Sequence, residues 1–169
     1  MLSHLRSRLL LSVALVAVVP AMAGSALAGD FVISTPVFTT NGGFTIDGDD
    51  SLTITNTGSI TPPLGSRGVS ASGANNTIAQ SGSIATNGLL AFGVFSIGND
   101  NTIAQSGSIV TSGNQAHGVF SLGSDNTITQ SGSIATSGDG ARGVYSRGDD
   151  NTITQSGSIA TSGTAARGV

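Results

Sequence analysis

The segment Asn-Thr-Ile-Thr-Gln-Ser-Gly-Ser-Ile-Ala-Thr-Ser-Gly occupies residues 126–138 and again 151–163, a step of 25. The same step aligns Asn76, Asn101, Asn126 and Asn151, each leading into Thr-Ile-(Ala/Thr)-Gln-Ser-Gly-Ser-Ile. Further along each unit come a glycine (Gly88, Gly113, Gly138, Gly163), an alanine (Ala91, Ala116, Ala141, Ala166) and a Gly-Val pair (93–94, 118–119, 143–144, 168–169). A divergent unit, "TITNTGSITPPLGSRGVSASGA", precedes them. A catalytic pocket needs unlike residues at unlike places, whereas identical segments suit equivalent layers. A fixed period of this size marks a solenoid, a propeller or an array.

Each unit holds three short strand-like pieces, Asn-Thr-Ile-x-Gln, Ser-Ile-x-Thr and Gly-Val-x-Ser, separated by glycine-rich turns. Of 169 residues only 9% are charged, with no lysine or glutamate, and Ser, Thr, Asn and 25 Gly take their places. Those residues favour turns and strands over helix interiors. The expectation is an all-β chain, a right-handed parallel β-helix of four to five coils of about 25 residues, each strand pairing with its copy at ~4.8 Å. Alternation puts the core at Ile78, Ile84, Val94, Ile103, Ile109, Val119, Ile128, Ile134, Val144, Ile153 and Ile159. Ala91 and its copies should also face inward, with a bulge at Gly93 correcting the parity. Two columns change too freely for a core: Phe92, His117, Arg142, Arg167, and Ile97, Leu122, Arg147. They are assigned to the outer surface. Gln80, Gln105, Gln130 and Gln155, with Asn56 before them, should form an amide ladder.

The first residues read as a helical signal peptide over 1–28: Arg6 and Arg8, the apolar run Leu9–Val19, Pro20, then an Ala-x-A ending. Cleavage is expected at Ala28 or Ala23. The apolar run is too short for a ~30 Å hydrocarbon core. Residues 29–50 carry Phe31, Phe38 and Phe44 off the repeat and read as an N-terminal cap or irregular first coil. The repeats follow as 51–75, 76–100, 101–125, 126–150 and an incomplete 151–169. The chain stops at Arg167-Gly168-Val169 inside an expected strand, as the front portion of something longer or a truncated reading frame would. Beyond residue 28, four Arg against nine Asp leave a net charge of 4 − 9 = −5. Nucleic acid demands a basic surface, so it is not an expected partner.

A leader followed by Ser/Thr/Gly/Asn-rich units such as "LTITNTGSI" and "NTITQSGSIATSGDGARGVYSRGDD" resembles the repeat regions of bacterial autotransporter passengers, over Leu52–Val169. That resemblance implies a β-helical passenger of type V secretion, displayed at the cell surface or outer membrane by a C-terminal barrel. It implies an adhesin-like rod that meets host or surface ligands. It transfers no catalytic residue, since the matching motif is structural, and membrane contact would come only through a downstream barrel, which this chain does not include. Uncovered strand edges at the coil ends imply self-association of the chain expressed alone.

No cofactor is expected. A polysaccharide-acting β-helical enzyme would need paired carboxylates in a unique constellation. Asp100, Asp125, Asp149 and Asp150 instead recur at one inter-unit turn, where Asp-Asn is expected to cap its own backbone. Asp100, Asp125 and Asp150 are weak cation candidates, lacking the spacing of known calcium loops. His117, in a variable column, reads as a surface residue. Arg147-Gly148-Asp149 spells an integrin-binding tripeptide that the other units do not keep. Thr53/Thr55, Thr127/Thr129 and Thr152/Thr154 resemble the outward Thr-x-Thr arrays of ice-binding solenoids, interrupted by Ala79 and Ala104.

Overall fold

The computed structural model describes residues 11–12, 28–39 and 42–169. Apart from Leu11, Ser12 and Ala28, the expected leader helix, with the cleavage site at Ala23, lies outside the described residues. Leu11–Ser12 form a two-residue strand beside Phe31 and Val32. From Asp30 onward every regular element among the described residues is a strand, and all the pairs are parallel. One coil consists of Thr77–Gln80, Ser83–Asn87 and Val94–Ile97, one strand in each of three sheets. Each strand pairs with its copy in the next coil, Ile78 with Ile103, Ile84 with Ile109 and Val94 with Val119. The sheets hold five complete coils and two strands of a sixth.

The segment read as a cap or irregular first coil is the first of these coils. Asp30–Ile33, Pro36–Phe38 and Phe44–Asp47 pair with Ser51–Ile54, Ser59–Thr61 and Val69–Ser72. Phe31 and Phe44 meet edge to face at 5.5 Å against the core, while Phe38 is exposed.

The β-branched residues explain the strands, because Ile and Val lose little on a pleated surface and fill the space between coils. Ile78, Ile103 and Ile128, Ile84, Ile109 and Ile134, and Val94, Val119 and Val144 form three buried columns. Ile153 and Ile159 are only half-buried, since they face the open side of the last described coil. Ala91, Ala116 and Ala141 are buried as well. Their parity is set by a bend at Gly93, not by a bulge within a strand: the Gly93 and Val94 amides both donate to the next coil, at His117 and Gly118.

Much of the interior is polar. Gln105 and Gln130 are fully buried, and the Gln130 amide donates to Gln105 Oε1 at 3.1 Å, as Gln155 does to Gln130. Asn56 does not open this ladder. The register sets Ile54 beside Gln80 and leaves Asn56 exposed in the turn. The turn after Ile54 has shifted the phase, so the step into the next coil is not 25 there. A second ladder stands at the corner entering the first sheet. Asn101 Oδ1 accepts the Asn76 amide at 2.8 Å, Asn126 that of Asn101 and Asn151 that of Asn126. Buried Asp50 stands one coil earlier and accepts the Gly29 and Asp47 amides. Thr86 and Thr111 point inward and donate to the Ala91 and Ala116 carbonyls, tying the second corner. The ladders pair most of these buried polar groups, as burial demands, and leave Asn76 Oδ1, Gln80 Oε1, Asn126 Nδ2 and Thr136 Oγ1 without a partner among the described residues.

Close backbone contact sets where glycine is required. A Cβ on Gly107 would collide with the carbonyl of Gly82 one coil below, and Gly132 stands likewise over Gly107.

Two predictions follow from the inward and outward assignment. Ile128→Asp buries an unpaired charge between two coils and should cost more than about 4 kcal/mol, while Thr129→Asp on the exposed side should stay within about 0.5 kcal/mol. Thermal melts by circular dichroism separate the two. The Ser121 hydroxyl is buried without a partner among the described residues. Ser121→Ala should therefore raise stability by about 1 kcal/mol in urea titrations.

Candidate functional site

The chemically richest part of the surface is the outer side of the third sheet. Two neighbouring columns run along the axis there. One contains Phe95, Phe120 and Tyr145, paired in register. The other contains Arg67, Phe92, His117, Arg142 and Arg167, just ahead of the strands. The variable column lies outside the tube, yet two of its members are shielded from solvent: Phe92 is 6% and His117 8% exposed. That corrects the surface reading of both residues. Their cover comes from each other and from the strand column.

The rings stack. Phe92 lies 5.3 Å from Phe95, His117 and Phe120, with planes within 14° of parallel. Phe95 and Phe120 stack at 5.4 Å and 5°. Tyr145 turns edge-on to His117 and Phe120. Arginines close both ends of the pile. The Arg67 guanidinium sits 3.5 Å over the Phe95 ring, and that of Arg142 4.0 Å over Tyr145. Burial lowers the Arg67 pKa from its usual value. Each ring pair contributes about 0.5–1.5 kcal/mol beyond area burial, and each cation over a ring about 0.5–2. Ring faces are therefore occupied within the ladder, and mainly edges meet solvent.

His117 is the polar member. Its Nδ1 accepts the backbone N–H of Arg142 at 3.0 Å, which requires a neutral ring with the proton on Nε2. Burial first, then the Arg142 charge, push its pKa down to about 4.

The acidic turn residues hold no comparable site. Asp100, Asp125 and Asp150 are exposed, with φ of 57°, 59° and 55°, a left-handed backbone that Asp and Asn tolerate better than most residues. Their role is conformational. The amide-capping oxygens at this corner belong to the following asparagines, which corrects the self-capping expectation. Among the described residues no three acidic or histidine side chains converge to hold a metal ion. Arg147 ends its strand and Gly148–Asp149 continue into the same exposed turn. The Thr-x-Thr array is shorter than expected at its start: Thr53 pairs with Ala79, so Thr55 falls outside the column. Thr127, Thr129, Thr152 and Thr154 remain as one outward block. A shallow depression of about 220 Å³ lies along the second sheet between Val110 and Ser162, lined by Thr, Ser and Ala.

Sequence reasoning missed the aromatic ladder because it equated chemical variation with exposure. A usable signal was present: Arg, Phe, His and Arg are all flat, delocalised groups, so the column varies in chemistry and keeps its shape.

The His117 geometry predicts an acid-sensitive ladder. With the folded pKa depressed to about 4 and the unfolded value near 6.5, the unfolded chain takes up the proton first. The contribution of His117 is thus complete above pH 6.5 and declines as pH falls toward 4. His117→Phe retains the stack and removes the Nδ1 acceptor. It should melt below the parent at pH 7, and the gap should close or reverse at pH 4.5.

No family model matches the chain, and no match was found among curated proteins or solved structures.

Proposed function

We propose that this chain is a non-enzymatic exported rod, the N-terminal part of an autotransporter-type passenger that displays its outer faces at the cell surface. The observation that carries the reading is the use of the interior polar groups. The repeated Asn and Gln columns bond to their own copies or to neighbouring backbone, coil after coil. Such groups serve length and axial cohesion, and they stand apart from any cleft. Stacked coils make stability a sum of neighbour terms, so a rod of this kind extends by adding units. The leader pattern of residues 1–28 supports export, and the Ser/Thr/Gly/Asn-rich repeats support the passenger resemblance.

The test is localisation. Expressed with its own leader in a Gram-negative host, the chain should leave the cytoplasm and begin at Gly29 or Gly24 by N-terminal sequencing. Fused ahead of an outer-membrane barrel, it should become accessible to external protease on intact cells. Retention in the cytoplasm with residues 1–28 attached would overturn the reading.

A further inference from the structure

All four arginines beyond residue 28 lie on the outer side of the third sheet and its leading corner, in a segment whose net charge is 4 − 9 = −5. Arg67 caps the first end of the aromatic ladder, and the other three gather at the far end. Arg142 and Arg167 stand directly above one another, paired through their backbones in adjacent coils. Arg147 lies in the same coil as Arg142, on the strand that carries Tyr145. Arg147 and Arg167 are exposed, and Arg142 and Tyr145 are half-buried.

Two like charges carried by adjacent coils repel weakly in water, and an anion bound between them relieves that repulsion. Arg142 places its guanidinium on the Tyr145 ring rather than on a carboxylate. A stacked guanidinium keeps its N–H donors in plane, free for bidentate bonds to carboxylate or sulfate. Of the nearby acids, Asp139 accepts the Thr164 amide, while Asp149 and Asp150 sit in the exposed turn that follows Arg147. Toward the earlier coils the same face becomes apolar, with Leu122 and Ile97 in register below Arg147 and Ile97 40% exposed.

We propose that this face binds an acidic polysaccharide lying along the rod axis, its carboxylate or sulfate groups held by Arg142, Arg147 and Arg167 around Tyr145, its apolar sugar faces against Leu122 and Ile97. A linear polymer fits because the basic and apolar stretches follow one another along a single narrow face. An anionic bilayer fits poorly, because the ridge of Asp100, Asp125 and Asp150 borders that face and would be pressed against it. Three arginines are also fewer than the phosphate contacts that hold nucleic acid at physiological salt. This inference deepens the surface-display reading by naming its ligand class, and it rests on that reading for its setting alone.

The experiment uses the full chain against immobilised alginate, dextran sulfate, uncharged dextran, polyglutamate and vesicles containing phosphatidylserine. Alginate or dextran sulfate should retain it, with retention falling as salt rises, while uncharged dextran, polyglutamate and vesicles bind at least ten-fold more weakly. Arg147→Ser with Arg167→Ser should reduce retention at least ten-fold with an unchanged melting temperature, because both side chains are exposed. Arg67→Ser, at the other end of the ladder, should leave retention intact. Equal binding by the double variant, no retention on either acidic polymer, or equal retention on polyglutamate or vesicles would each overturn the proposal. Binding in vitro by a chain that stays in the cytoplasm would sink the display reading and leave this one standing.

Discussion

Parallel, in-register pairing of like with like is the constraint on which the molecule depends. Each strand satisfies its backbone amides against a copy of itself, so a residue that suits one coil suits the next. Isoleucine over isoleucine fills the space between layers, and glutamine over glutamine hands a hydrogen bond down the axis. Backbone approach at the Gly107 and Gly132 corner is close enough that a side chain there would push layers apart. Coil, core and corner are thus one requirement stated three ways.

That requirement reaches the outer surface too. The third sheet holds its rings in register, and registered rings stack. Phe92, His117 and Phe120 bury one another outside the tube, so the solenoid has a second, external seam beside its core. The seam is closed by cations at each end because a ring face left open to water would otherwise terminate the pile. It also makes the third sheet unlike the other two, whose outer residues are mainly Ser, Thr and Ala.

The sequence revealed the period, the three strands per coil and the Ile and Val columns, since periodic apolar residues at alternate positions admit few other packings. Other features were hidden for physical reasons. Asn56 aligned with the glutamines on paper because letters carry no turn geometry, and the turn after Ile54 moved the register. Buried Ser96 and Thr86 could not be told from outward residues by polarity, since a narrow tube admits small polar groups that a wide core would exclude. His117 was read as exposed because variation was taken for solvent, when the column tolerates any flat group. Arg142, Arg147 and Arg167 of the candidate binding face were legible as members of two outer columns, but that both columns lie on one side, around Tyr145, became visible only once the coils were formed.

Axial equivalence has a direct spectroscopic consequence. Nitroxide labels on cysteines placed at Thr102 and Thr127, both exposed and paired in adjacent coils, should sit one layer apart, ~4.8 Å at the backbone. Strong dipolar and exchange broadening in the continuous-wave spectrum is expected for that pair, and weaker broadening for Thr102 with Thr152, two layers apart. Sharp, non-interacting lines for labels at 102 and 127 would contradict the stacked-coil account.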